Sequence, residues 1–239
     1  MLTRRAFAVS AAALPLSGGC SNGTGPIAEA GALSWRSAAP APMAVQEIYP
    51  ALHQGAIWIA GGFAPLAALG ASERVLAFDP ASGAWRDGPP LPSPSHHVHL
   101  ASLNGELWAI GGYLGGDNRR RWICPPRVLK LARAQWIEGP SLPKPIAEAV
   151  PLVHEGRIHL IGGRAPRAQA NAAWDDQIDV DDHFVIAPGD SGWTRSAPLP
   201  LARNSAAGAS DGTRLHVISG RTVASGQTPA HHMFDPRTG

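Results

Sequence analysis

The segment Ile57-Trp58-Ile59-Ala60-Gly61-Gly62 returns three more times in this chain. It recurs as Leu107-Trp108-Ala109-Ile110-Gly111-Gly112 and Ile158-His159-Leu160-Ile161-Gly162-Gly163, then as Leu215-His216-Val217-Ile218-Ser219-Gly220, where serine replaces one glycine. The steps between copies are 50, 51 and 57 residues, and Trp35, Trp85, Trp136 and Trp193 keep the same three steps. Each tryptophan leads into a proline-rich tail, as in Trp85-Arg-Asp-Gly-Pro-Pro-Leu-Pro92 and Trp193-Thr-Arg-Ser-Ala-Pro-Leu-Pro200. The tail after Trp35, ending at Pro42, is the least similar copy. Two unrelated signatures locked to one period define an internal repeat, in which each unit buries its apolar surface against its neighbours.

The unit is built of strands. Short apolar runs bounded by Gly, Pro, Asp and Ser carry no helical periodicity. The glycine pairs mark backbone geometry or close approach that a Cβ would obstruct. One tryptophan per unit supplies a large surface to wedge between neighbouring units. The first unit is expected to place strands near residues 48–52, 57–60 and 75–78 with an outer strand at Trp85. The second places them near 97–103, 107–110 and 128–131 with Trp136, and the third near 149–153, 158–161 and 184–186 with Trp193. The fourth has 206–210, 215–218 and 232–234 with no outer strand after it. Trp35 opens an outer strand with no inner strands before it.

The pattern resembles the kelch repeat, in which a strand ends in Gly-Gly and a later strand leads through Phe-Asp-Pro to a tryptophan. Phe78-Asp79-Pro80-Ala-Ser-Gly83-Ala-Trp85 carries that second half, and Phe234-Asp235-Pro236-Arg-Thr-Gly239 carries its beginning. The resemblance implies an all-β fold, a kelch-type β-propeller with four recognisable blades over residues 35–239. Two arrangements are open: a closed four-bladed ring, or part of a six- or seven-bladed one. In either, the strand at Trp35 is expected to complete the last blade, because pairing removes exposed edges.

The first 20 residues read as an address. Thr3-Arg4-Arg5-Ala6-Phe7 and the apolar run to Leu16 resemble a bacterial twin-arginine export signal, too short for a permanent span. Leu16-Ser-Gly-Gly-Cys20 resembles a lipoprotein cleavage box with its leucine displaced by one place, which makes Cys20 a candidate lipidation site. Residues 21–34 are small and polar, as a tether would be. The expected location is the periplasm or cell envelope, with contact to a membrane only through that N-terminal lipid. Cys124 is then the single remaining cysteine and forms no internal disulfide; a buried, inert thiol is expected.

A formal net charge of +2 without a long basic run argues against a nucleic-acid partner. Chemistry is expected where the repeats differ. Eleven and twelve residues after each tryptophan stand Gln46-Glu47, His96-His97, Ala147-Glu148 and Asn204-Ser205. Glu47, His97 and Glu148 therefore share one repeat position, where a purely structural repeat would keep one small or apolar residue. Ionisable, mutually different residues there suggest acid–base groups facing a ligand. Gln46, His96, His99, Arg203 and Asn204 flank them as candidate binding residues. Arg164 and Arg221 follow glycine pairs and could hold a carboxylate or phosphate in paired hydrogen bonds. His97 and His99 with a carboxylate could also ligate a metal, but the donor set is thin and no metal site is assigned. The aspartates of Trp174–Asp182 could bind calcium or form a solvated hairpin; their order is not that of an EF-hand loop. Arg119–Arg121 form the most basic stretch. The cofactor is unknown.

Among exported bacterial kelch propellers, the N-acetylneuraminate mutarotase type is similar in architecture and in its crowd of arginines, glutamate and histidines. That similarity implies a small polar ligand, such as an acidic sugar, bound and isomerised at the channel mouth. Galactose oxidase shares the architecture too, but Tyr49, Tyr113 and Cys124 lie in no context resembling its copper site. A second function class stays open: a non-catalytic envelope scaffold that holds a protein or glycan partner through the propeller face.

Overall fold

A computed structural model describes residues 35–64, 70–116 and 121–238. The expected leader, Cys20 and the tether lie outside these residues, as do Arg119 and Arg120. The compact unit begins at Ala38. Among the described residues no helix is long and apolar enough to cross a membrane.

The chain forms four small antiparallel sheets arranged as the blades of a β-propeller, and among the described residues the only helical element is a short 3-10 turn at Trp174–Asp176. Blade 1 is Ala51–His53, Ala56–Ala60, Val75–Asp79 and Ala84–Asp87, paired in that order. Blade 2 is His99–Leu103, Glu106–Ile110, Val128–Ala132 and Gln135–Glu138. Blade 3 is Val150–His154, Arg157–Ile161, His183–Ile186 and Thr194–Arg195. Blade 4 has three strands, Ala207–Ser210, Leu215–Ile218 and His231–Phe234. The first hairpin of blades 1 to 3 turns on two residues in left-handed geometry: Gln54-Gly55, Asn104-Gly105 and Glu155-Gly156. Such turns match the natural twist of paired strands.

The glycine pairs work by close approach. A Cβ on Gly111 would meet the Ile146 carbonyl oxygen of the next blade at 2.2 Å, and one on Gly112 the His96 carbonyl at 2.8 Å. In the fourth unit Ser219 takes the first place at φ 54°. The tryptophans bind the blades together by a repeated hook. Trp85 Nε1 donates to the Ala39 carbonyl (2.9 Å), Trp136 Nε1 to Pro89 (2.9 Å) and Trp193 Nε1 to Pro140 (2.8 Å). In every case the acceptor lies four residues after the preceding tryptophan. A buried indole removes about 150–250 Å² from water, worth at most roughly 4–6 kcal/mol before entropy, and the hook satisfies its one polar atom.

The core is correspondingly a series of inter-blade layers. Trp136 packs with Trp58, Leu91, Leu107 and Leu129 between blades 1 and 2. Trp193 packs with Leu142, Leu160, Phe184 and Ile186 between blades 2 and 3. Leu199, Leu215, Val217 and Val150 form the layer between blades 3 and 4. The outer strand expected at Trp35 is not formed. Residues 35–41 carry no strand, Trp35 is fully exposed, and among the described residues His231–Phe234 pairs only with Leu215–Ile218.

Candidate functional site

Each blade brings its chain into the mouth through a strained step. Glu47, His97, Glu148 and Ser205 occupy the same repeat position and all have positive φ, 58°, 55°, 52° and 50°. A left-handed non-glycine residue costs on the order of 1 kcal/mol, and four aligned instances mark a position where side-chain direction matters. The residue before each pairs with the residue after the glycine pair: Gln46 with Phe63, His96 with Tyr113, Ala147 with Arg164 and Asn204 with Arg221. Two concentric sets result, one of Glu, His, Glu and Ser, the other of Phe, Tyr, Arg and Arg.

Glu148 lies at the centre and is 1% exposed. Its Oε1 accepts from the Tyr113 hydroxyl (3.1 Å), and its Oε2 from Ser205 Oγ (2.7 Å) and Arg221 Nη2 (2.9 Å). Arg164, fully buried, places Nη1 3.9 Å from Glu148 Oε1. Arg164 is clamped from behind: its guanidinium lies 3.4 Å from the Trp174 ring centre and its Nη2 donates to the Trp174 and Gln177 carbonyls. Its Nε and Nη1 make no hydrogen bond among the described residues. A buried guanidinium with two idle nitrogens is costly and is poised for an acceptor that enters the mouth. Arg221 is half-exposed and is aimed by Asn204, whose Oδ1 accepts from its Nε (2.9 Å) and whose Nδ2 donates to Asp179 (2.6 Å).

A second chain of contacts runs from the protein interior to solvent. His96 Nε2 meets the Arg121 carbonyl at 2.6 Å, His96 Nδ1 meets His97 Nδ1 at 2.7 Å, and His97 Nε2 meets Glu47 Oε2 at 3.0 Å. A carbonyl can only accept, so His96 Nε2 carries hydrogen. Burial pushes the His96 pKa down to about 3, so the ring is neutral and its Nδ1 must accept from His97. The hydrogen bond from His97 holds Glu47 below its ordinary carboxyl pKa. His96 is stacked on Phe63 (4.0 Å between centroids) and edged by Trp122 (4.9 Å), while the Glu47 side chain is 44% exposed. Tyr49 leans on His97 and His99; burial and the charges of Glu148 and Glu47 raise its phenol pKa.

The candidates thus divide. Glu47, His96, His97, Glu148, Arg164, Asn204 and Arg221 converge on the mouth. Gln46 lies on its exposed rim, held by backbone pairing to Phe63. His99 is fully buried as a strut between blades, its Nε2 accepting from the Ala149 amide (3.1 Å), with burial pushing its pKa down to about 3. That bond leaves no His97–His99 chelate. Arg203 turns into blade 4, donating to the Leu201 and Val217 carbonyls and contacting His232 Nδ1 at 2.8 Å. Among the described residues no group of three or more His, Cys, Asp or Glu is placed to hold a metal.

The acidic stretch is neither a calcium loop nor simply solvated. Asp176 accepts from the Ala172 and Ala173 amides, Asp179 holds Asn204 and Val223, and Asp182 is buried against Lys144 and Arg195. Cys124 is buried, and burial raises its thiol pKa; its backbone is clasped by Asn171. Tyr113, Ser205, Trp122 and Trp174 were not singled out as site residues from the sequence. The place after each glycine pair was the available signal for Tyr113, whereas loops of unequal length hid the two tryptophans.

No family model and no curated protein matches the chain. Among solved structures it is similar to one titled "Structure of YjhT", with a TM-score of 0.65 at 14% identity over 81% of this chain. The chain spans 66% of that structure's length. At this identity the likeness is one of fold.

Proposed function

We propose that this chain is a kelch-type propeller of the bacterial envelope whose mouth binds a small acidic sugar and catalyses its ring opening and reclosure. The observation that carries this reading is the buried Arg164 with two idle guanidinium nitrogens, set beside Arg221 and the Glu47–His97 pair. The arginines supply paired donors for a carboxylate. Both oxygens of Glu148 are already occupied, so its role is to hold Arg221, Tyr113 and Ser205 rather than to exchange protons with ligand. Proton exchange falls to Glu47, whose side chain is 44% exposed and is held by His97. Glu47 takes the proton of the anomeric hydroxyl and passes it to the ring oxygen as the ring C–O bond breaks and the anomeric carbon becomes a carbonyl. Attack of the same ring oxygen on the other carbonyl face, with both proton transfers reversed, closes the other anomer. No net proton, electron or water is consumed. The resemblance of the first residues to an export signal, with Cys20 as a candidate lipid anchor, supports a location in the periplasm or cell envelope for this activity.

N-acetylneuraminate is a suitable probe. Anomer exchange followed by NMR is expected to accelerate with the protein and to fall at least about a hundredfold with Glu47→Gln, the usual size of a lost acid–base group. Binding without acceleration restricts the site to recognition. Neither binding nor acceleration for any acidic sugar leaves the scaffold reading.

A further inference from the structure

The face opposite the mouth carries a cavity of about 470 Å³ at the joint between blades 1 and 2. The strands Ala51–His53, His99–Leu103 and Val128–Ala132 run away from the mouth, and the turns that follow them stand at that far end. Gln54, Gly105 and Arg133 of those turns line the cavity, together with Trp58 and Arg86. Two of these are cations without a counter-charge. Arg86 lies over the Trp58 ring, 4.7 Å from its centre, and Arg133 holds a left-handed turn position at φ 57°. Among the described residues neither guanidinium makes an ion pair or a hydrogen bond. The carboxylates at this end are committed elsewhere. Asp79 accepts from the Ala81 amide and the Ser82 hydroxyl of its own turn, and Glu106 is held by Lys130 at 2.8 Å.

Blade 2 shows what blade 1 omits. There too a cation stacks on the tryptophan of the glycine-pair strand, Lys130 at 4.8 Å from the Trp108 ring, and Glu106 neutralises it. Fifty residues earlier the place of Glu106 is held by Ala56. Trp58 and Trp108 share a buried Nε1 without a partner among the described residues, so that atom does not separate the blades. The cavity and its unpaired arginines do. A guanidinium offers planar, paired donors that match a phosphoryl group, and two of them suit its charge of about −1.5 to −2 at pH 7. The volume falls within the range of small-molecule sites, roughly 300–1,000 Å³, so it takes a body as well as an anion. Gln54 stands ready for that body, its amide engaged only at 3.4 Å with the Gly105 carbonyl. The geometry points to a second ligand site here, for the phosphate monoester of a small sugar or polyol. Arg86 and Arg133 hold the phosphoryl oxygens and Gln54 the hydroxyls.

Titration calorimetry of glucose 6-phosphate into the full chain at low salt tests this. Saturable binding is expected, weakened at least about tenfold by Arg86→Met and by Arg133→Gln, the effect of losing a charged hydrogen-bond donor. Arg221→Ala, in the mouth, is expected to leave it unchanged. Arg86 and Arg133 are exposed, and methionine keeps the contact with Trp58, so circular dichroism of both variants is expected to match the wild type. Inorganic phosphate is expected to compete, and glucose, which lacks the phosphoryl group, is expected not to bind. No binding of the ester at millimolar concentration overturns the inference. So does binding that both arginine variants leave untouched, or that Arg221→Ala abolishes, which puts the anion in the mouth.

Discussion

His96 Nδ1 and His97 Nδ1 lie 2.7 Å apart, so the two rings share a single proton whose direction is set at both ends. The Arg121 carbonyl fixes one end and Glu47 the other. Because His96 can serve only as acceptor, replacing it with an apolar residue strands the His97 N–H in a buried site. His96→Leu is expected to keep ligand affinity within a few fold and to lower turnover about tenfold or more, since it disturbs orientation rather than the reacting groups. Binding by calorimetry beside anomer exchange by NMR separates the two; equal loss in both argues against a positioning role.

Acid sensitivity should begin well above the carboxylate range. His96 and His99 are pushed down to about 3, and His159 to about 4, chiefly by burial. The unfolded chain binds protons at these histidines below about pH 6.5 while the folded one does not, so stability falls with falling pH from there towards pH 3–4. Thermal melts from pH 8 to 4 are expected to be flat above pH 7 and to drop steadily below 6.5. A melting temperature constant down to pH 4.5 contradicts the assigned burial.

Glu148→Gln is expected to destabilise by about 3–5 kcal/mol, because it leaves Arg164 as a buried charge without its carboxylate. Arg221→Ala, removing a half-exposed partner, should cost far less in stability while weakening ligand binding. Chemical denaturation of both variants checks the ordering; equal costs argue that Glu148 is reached by water.

Two glycine replacements distinguish close approach from backbone conformation. Gly111→Ala adds a Cβ 2.2 Å from the Ile146 carbonyl, whereas at Gly55 nothing lies within 4 Å. The first is expected to prevent stable folding, and the second to cost only the left-handed penalty, on the order of 1 kcal/mol. Ser219→Gly relieves that same penalty and is expected to stabilise by up to about 1 kcal/mol. Urea denaturation midpoints measure all three.

The period of the glycine pairs and tryptophans made the four blades readable, because each marker has an unavoidable steric or packing job in every unit. Counting twelve residues from each tryptophan likewise led to one backbone position, the left-handed step shared by Glu47, His97, Glu148 and Ser205, since a repeat keeps geometry constant while letting side chains vary. What counting could not supply was who satisfies whom. Glu148 reads as a free carboxylate until Tyr113 of the second unit and Ser205 and Arg221 of the fourth converge on it. Arg203 reads as a mouth residue until its guanidinium is seen bonded within blade 4. Trp122 and Trp174 arrive on loops that share no length with their counterparts, so no period points to them.

The most direct test of the mouth as a ligand site is isothermal titration of N-acetylneuraminate into the wild-type chain and into Arg164→Met. The substitution removes both idle nitrogens while keeping much of the side-chain volume, and circular dichroism reports whether the fold is intact. Saturable binding to the wild type, weakened at least tenfold in a folded Arg164→Met variant, is the expected result. Binding that is unchanged in the variant, or absent from the wild type for this and other acidic sugars, contradicts the account.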